Sequence, residues 1–407
     1  MNFKRVVIGS CFTLVYFSSL LYGAEAMIEG PDGVTSQLVA REAQETDKPQ
    51  ISMMQSYYAW KKELREESGL SFGIQAIMLY QQAGDTLADR EDNGASGIFR
   101  FSGSYKVFER DNGHLGRIEW RVENRSGFGS LQSPSNLSGA IGMHSLNSGF
   151  AYSDNFDTDL SVINWTQGFI DRGGFAIGRL SFDVYLDAFM FQTYSRAFIT
   201  RSFVFNPTLP TTGVGALGLV AKGFVTDNIL IGAQIYEANA VSGEFDIDTL
   251  KENEWLKAVE VAWTPAISRY KLDRVQLTYW HKDARDLVGA GAGSGWAVSA
   301  SHQVTEQFIP FVRFGHSTGD GGVTTKSALS TGFEYSPWKN HAWSLGAGWA
   351  EPKQSELRDE YVFETSYRVQ VTPSINLMPD LQYLIDPANN PELDSTWVAG
   401  LRCILTL

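Results

Sequence analysis

From Glu360 to Leu407 the chain carries three successive segments in which apolar residues alternate with polar ones. In the first, Tyr361, Phe363, Tyr367, Val369 and Val371 share one parity, while Glu360, Glu364, Ser366, Arg368 and Gln370 share the other. In the second, Ile375, Leu377, Leu381, Tyr383 and Ile385 oppose Asn376, Asp380 and Gln382. In the third, Trp397, Ala399, Leu401, Cys403, Leu405 and Leu407 oppose Arg402 and Thr406. A strand turns successive side chains to opposite faces, so each segment has one continuous apolar face and one polar or charged face. A soluble sandwich would bury the apolar face. A barrel in lipid would turn it outward, fill its interior with polar groups, place aromatic girdles at both rims and leave no free edge.

The start of the chain points to the same compartment. Lys4 and Arg5 precede an apolar run from Val6 to Tyr22, and small residues follow at Gly23, Ala24 and Ala26. This is the layout of a secretory signal spanning residues 1–26, with an Ala24-x-Ala26 cleavage site. Cys11 lies inside the apolar run and reads as an ordinary signal residue, so its removal leaves Cys403 as the sole thiol and excludes an intrachain disulfide. Beyond the signal no apolar run approaches the roughly 20 residues that a membrane helix needs. A chain of 407 residues exceeds what one soluble core usually fills, whereas a barrel takes its size from a closed ring of hydrogen bonds. The net charge of −13 speaks against a nucleic-acid partner, which would require a basic stripe.

Residues 27 to 50 are polar and weakly patterned and read as a flexible segment. Tyr57 to Glu67 fits a short amphipathic helix that ends at Gly69, so residues 27–68 form an N-terminal periplasmic segment ahead of a barrel domain at 69–407. From Leu70 onward, segments of strand length recur about sixteen times, an even number as bacterial barrels require. Short gaps with turn chemistry, such as Arg110-Asp111-Asn112-Gly113 and Thr372-Pro373, alternate with long ones, notably 126–158 and 181–216. The fold expected is therefore an all-β, transmembrane antiparallel barrel with short periplasmic turns, long external loops and both chain ends on the periplasmic side.

Charge on the walls then marks the lumen. Arg117, Glu119, Arg121, Glu123 and Arg125 share one face of a strand while Ile118, Trp120 and Val122 share the other, giving a ladder of alternating sign. On a lipid face such charges would be costly, so the ladder belongs inside. Parity adds Arg100, Lys106, Arg274, Gln276, Arg313, Glu334, Glu364, Arg368, Asp380, Gln382 and Arg402. Acids and bases come close to balance, which suits a neutral polyhydroxylated solute better than a phosphate or a cation. The alternative is that the same pairs only brace the wall. Arg179 lies just before the long loop 181–216, which is a candidate constriction because long loops tend to be functional. That loop mixes Phe182, Tyr185, Phe189, Phe191, Tyr194, Phe198, Phe203 and Phe205 with Asp183, Asp187, Arg196 and Arg201. Its aromatics either stack on sugar rings or pack the loop against the wall. Enzyme signatures are lacking: there is no Gly-x-Ser-x-Gly and no His-Glu-x-x-His, and the stretch Gly291 to Gly295 lacks the Lys of a phosphate loop. Neither a metal nor a cofactor is expected.

The run from Glu364 through Tyr367-Arg368, Thr372-Pro373 and Pro379-Asp380 to Gln382-Tyr383 and Pro387 resembles the C-terminal signature of carbohydrate-selective porins of the OprB family. Ile177-Gly178-Arg179-Leu180, the segment with Phe198, Phe203, Asn206 and Pro207, and Trp60 to Gly73 are similar to the family's central motif and to its leading helix and first strand. The resemblance implies a sixteen-stranded outer-membrane barrel that passes monosaccharides such as glucose through a polar constriction. It also implies contact with outer-membrane lipid and with the barrel-assembly machinery, and a homotrimer is common among porins of this size. The chain departs from the pattern in ending on Leu407 rather than an aromatic, and in its acidic net charge.

Overall fold

A computed structural model describes residues 28–46, 52–111, 113–154, 156–169, 172–244, 247–338 and 340–407. The expected signal at 1–26, with Cys11, lies outside the described residues, as do Asn112 and Asp171 of two expected turns. Sixteen strands follow in chain order: β1 (Leu70–Ala83), β2 (Asn93–Glu109), β3 (Leu115–Gly127), β4 (Phe156–Phe169), β5 (Gly173–Leu180), β6 (Ala216–Phe224), β7 (Ile229–Glu237), β8 (Trp255–Trp263), β9 (Arg274–Lys282), β10 (Gly293–Ser301), β11 (Phe308–Gly319), β12 (Thr325–Trp338), β13 (His341–Pro352), β14 (Glu360–Thr372), β15 (Ile375–Ile385) and β16 (Ser395–Thr406). Each pairs antiparallel with its neighbours in sequence, and β1 pairs with β16, so the sheet closes on itself. Closure is completed by a reciprocal pair in which the Ile74 and Leu407 amides each donate to the other residue's carbonyl at 2.9 Å. No edge is left to template aggregation.

The outward parity is apolar nearly throughout. Ile118, Ile177, Ile231, Val259, Leu277, Val312 and Leu381 are exposed there, while the alternating positions are buried or polar. Large aromatics collect at two levels of this surface. Tyr80, Tyr361, Tyr383 and Trp397 lie toward the long-loop end, with Tyr383 directly paired to Trp397, while Tyr105, Trp263, Tyr335 and Trp343 lie toward the short-turn end, with Tyr335 paired to Trp343. Aromatic belts flanking an apolar band are the signature of a barrel matched to a bilayer. Among the described residues no helix is long and apolar enough to cross a membrane.

The chain before the barrel differs from expectation. An amphipathic helix was expected at Tyr57 to Glu67, and α2 spans Ser52–Ser68. Residues 27–50, read as flexible, instead contain a further helix, α1 (Val34–Thr46), preceded by a turn, and residues 28–38 are almost entirely buried. This segment packs against the inner faces of β1, β2 and β3. Its polar sequence misled because a lumen wall is itself polar: beside the small apolar contacts of Ile28, Val34 and Leu38, the segment buries hydroxyls, amides and carboxylates against matching groups.

Among the described residues the long loops add three short α-helices, α3 (Pro134–Ile141), α4 (Phe182–Tyr185) and α5 (Arg201–Val204), besides short 3-10 turns. The α3 helix is capped by the Ser133 hydroxyl, which accepts from the Asn136 amide. It ends at Gly142 with φ of 98°, a left-handed value that glycine adopts without strain.

Candidate functional site

The loop between β5 and β6 folds into the barrel, and its aromatic residues decide how. Phe189, Phe191, Phe198 and Phe203 are fully buried and close around Phe311 of β11, with ring centroids 4.6 to 6.3 Å apart. Phe182 stands edge-on to Phe205, and Tyr185 and Tyr194 are buried as well. The sugar-stacking alternative is therefore not what these rings do; they form an apolar core inside the barrel that gives the loop its shape.

Wall charges hold the loop by its backbone. Arg402 donates to the carbonyls of Tyr194 (2.8 Å), Ala197 (2.5 Å) and Phe198 (3.2 Å). Glu364 accepts from the amides of Ile199 (2.6 Å) and Thr200 (3.0 Å), and Ser366 donates to the Ala197 carbonyl. Glu260 accepts the Asp187 amide at 2.6 Å. Arg313 reaches the Phe203 carbonyl at 3.2 Å and the Asp187 carboxylate at 2.6 Å, and Ser299 also donates to that carboxylate. Asp187 adopts φ of 50°, a left-handed conformation that Asp tolerates better than most residues. Bridging β9, β10 and β11 to the loop from full burial, Asp187, which the sequence offered only as one of the loop's polar residues, is its pin.

Other expected site residues brace the wall and its loops. Arg179 binds Asp159 at 2.6 Å and the carbonyls of Gly215 and Glu244. Gln382 donates to the Ser148 carbonyl at 3.0 Å and to Asp380 at 3.1 Å, and Gln81 donates to the same Ser148 carbonyl. Arg125 binds Glu123 at 2.7 Å and the Ala151 carbonyl at 3.0 Å, while Arg100 lies between Glu123 and the ring of Tyr194. Lys106 projects into solvent near the short-turn end, paired with Glu109.

The ladder of β3 is covered. Arg100, Glu119, Arg121 and Glu123 are each no more than 2% exposed because the N-terminal segment lies over them. Asp32 binds Arg100 at 2.6 Å and accepts from Thr193 at 2.9 Å and Gln37 at 2.8 Å, while Arg121 donates to the Asp32 carbonyl and Thr35 donates to Glu119. Lys271, in the β8–β9 turn, donates to the Glu29 carbonyl (3.0 Å) and the Ser36 hydroxyl (3.2 Å), and the Gly30 amide donates to Val184 of the inward loop at 2.7 Å. Burial, then the neighbouring Glu119 carboxylate, raises the Glu29 carboxyl to about 8. Burial likewise pulls the Lys271 ammonium down to about 8, against the attraction of Glu29. Nothing in the sequence flagged Asp32, since apart from Gln37 its partners lie at least 68 residues away.

Five of the expected site residues keep part of their side chain open: Arg117, Asp183, Arg196, Arg201 and Arg368. Arg196 and Arg368 share one buried carboxylate, Glu334, at 2.8 and 3.9 Å, and keep 26% and 30% of their side chains open. Arg201 lies over the ring of Phe150 and reaches the Pro207 carbonyl at 3.4 Å. Asp183 accepts from Ser181 and from Tyr194. The charged groups among these expected site residues that stay partly open are thus guanidiniums with one carboxylate among them.

Residues 294–407 match the sequence pattern described as carbohydrate-selective porin, OprB family. Among characterised proteins, the chain is 30% identical over 124 residues to Porin AaxA of Chlamydia pneumoniae, covering 28% of each chain. It is 27% identical over 202 residues to Porin AaxA of Chlamydia abortus, covering 47% of this chain and 45% of that one. The chain thus matches less than half the length of these relatives. Among solved structures, Pseudomonas putida OprB superposes with a TM-score of 0.69 at 16% identity, over 86% of this chain and 97% of that one. A triple mutant of Rhodopseudomonas blastica porin superposes with a TM-score of 0.52 at 11% identity, over 83% and 100%. At such identities the structural likeness speaks for the fold alone. Residues 294–407 are thus similar to the carbohydrate-selective porin, OprB family, and they form the closing part of a sixteen-stranded barrel of the porin fold.

Proposed function

We propose that the chain is an outer-membrane porin through which small sugars, monosaccharides such as glucose among them, diffuse past a polar constriction. The observation that carries this reading is the inward loop. Its apolar core and backbone clamps make it rigid, and it leaves Asp183, Arg196, Arg201 and Arg368 partly open beside it. Guanidiniums offer forked donors to hydroxyl oxygens, and a carboxylate accepts from hydroxyls, so a neutral polyol finds both kinds of partner there. The apolar outer band and its two aromatic belts support a bilayer location, which for a barrel of this kind is the outer membrane of a diderm bacterium. On this reading residues 1–26 are removed as the secretory signal, residues 27–68 are an N-terminal segment, and residues 69–407 are the pore domain. Insertion would use the barrel-assembly machinery, and the working unit would be a single barrel or a homotrimer.

A second reading, a pore for organic acids, is favoured by the surplus of guanidiniums over carboxylates among the open groups. The test is single-channel current of the refolded chain in a planar bilayer, titrated with glucose, maltose and a charged organic acid. Sugar-dependent block supports the first reading and block by the acid alone supports the second. Open current that no solute blocks makes the pore a general one, and absence of current rejects both.

A further inference from the structure

The β3 ladder and the N-terminal segment together present a built carboxylate site that is filled from within the chain. Asp32 occupies it: one carboxylate oxygen meets Arg100 at 2.6 Å, and the other accepts from Thr193 of the inward loop and from Gln37. Arg121 donates to the backbone carbonyl of the same residue and to Ser102. Arg100, Arg121, Asp32 and Thr193 are all at least nine-tenths buried. Arg100 is held from behind by Glu123 and flanked by the ring of Tyr194, and Arg121 lies over the wall of β2 and β3, so the donors keep their positions independently of Asp32.

We propose that this cradle is a binding site for the carboxylate of a small hydroxylated acid, and that Asp32 is its tethered competitor. The proposal rests on the pore reading, because a solute reaches the cradle only from the lumen. Breaking a buried ion pair by simply withdrawing one partner is strongly unfavourable. Exchanging Asp32 for the carboxylate of a solute keeps Arg100 paired, with Arg121, which meets the Asp32 backbone carbonyl rather than its carboxylate, beside it as a further donor, so the solute has only to outcompete a tethered group whose effective concentration is on the order of millimolar. Thr193 and the Glu119 carboxylate, which now takes the Thr35 hydroxyl, would then serve the hydroxyls of the incoming acid. A neutral sugar, lacking the carboxylate, gains nothing from the exchange.

The test is calorimetric titration of the full-length, detergent-solubilised protein with sodium gluconate and with glucose, in the parent chain, in Asp32→Ala and in Asp32→Glu. This readout needs no ion current, so a failed conductance experiment and a failed binding experiment remain separable. The expected result is gluconate binding at least tenfold tighter in Asp32→Ala than in the parent, affinity near the parent's in Asp32→Glu, and glucose affinity the same in all three. Retained heat-modifiable migration on electrophoresis verifies that each variant is a closed barrel. Equal gluconate affinity in Asp32→Ala and the parent, absence of gluconate binding in every variant, or an equal gain for glucose overturns the proposal.

Discussion

Single residues on the inner wall work mainly by clamping backbone. Glu360, fully buried, accepts from the amides of His144, Ser145, Leu146 and Ala388 at 2.7 to 3.0 Å and so ties the loops after β3 and β15 to β14. Removing it leaves four buried donors without their acceptor, each of which costs about 1–3 kcal/mol when unsatisfied, less what water recovers. Glu360→Ala is therefore expected to lower stability by on the order of 3 kcal/mol, seen as a drop in the temperature at which the folded band disappears on electrophoresis. Arg196 and Arg368 behave differently because part of each side chain is open. The Arg196→Lys, Arg368→Lys double variant, which keeps a cation beside the buried Glu334 carboxylate but removes the forked donors, is expected to raise the half-blocking glucose concentration several-fold with little change in melting, measured by current block. A variant that melts early with unchanged block would make these residues braces. Parity in the sequence located Arg313, Glu364, Arg368 and Arg402 on the inner wall. It could not say which would face solute and which would meet a loop carbonyl, because that depends on contacts across more than a hundred residues.

Among the elements, the β5–β6 loop is the one whose role changes most between sequence and structure. Its length and aromatic content marked it as a constriction, and it does fold inward. Yet the rings serve its own core rather than presenting faces to solute. Phe198 packs on Phe191, Phe203 and Phe311, and truncating such a side chain in a closed core typically costs about 3–5 kcal/mol. The barrel ladder does not depend on that core, so the loss should fall on the loop. Phe198→Ala is expected to give an intact barrel with noisier or larger single-channel current and faster proteolysis between 181 and 215, while unchanged current would mean that the loop is held by its polar clamps alone. The α1 element shows the converse difficulty. Its apolar stripe is only one pair long, Val34 and Leu38 packed on Val162 of β4, and the rest of its burial is polar contact with the β1–β3 wall, which no local pattern announces.

At the scale of the whole molecule, the sixteen strands act as one cooperative ring. Every backbone group at the outer surface is satisfied only if β1 meets β16, and their register runs from Gln75 opposite Thr406 to Ala83 opposite Val398. A chain truncated after Asp394 is expected to lose heat-modifiable migration and membrane insertion, since it would leave β1 and β15 as open edges in lipid; retention of both would show that fifteen strands can close. Strand existence, the inward and outward parity and the alternation of short turns with long loops were all set by the sequence itself. They follow from side-chain period and turn chemistry, which are local. Tertiary structure alone decided that residues 28–46 lie inside the ring, that Asp32 fills a cradle of Arg100 and Arg121, and that the loop aromatics form a core. In the first two cases the deciding partners are far apart in the chain and burial against a polar wall leaves little periodic trace; in the third the rings lie close in sequence, but only the tertiary fold brings Phe311 among them.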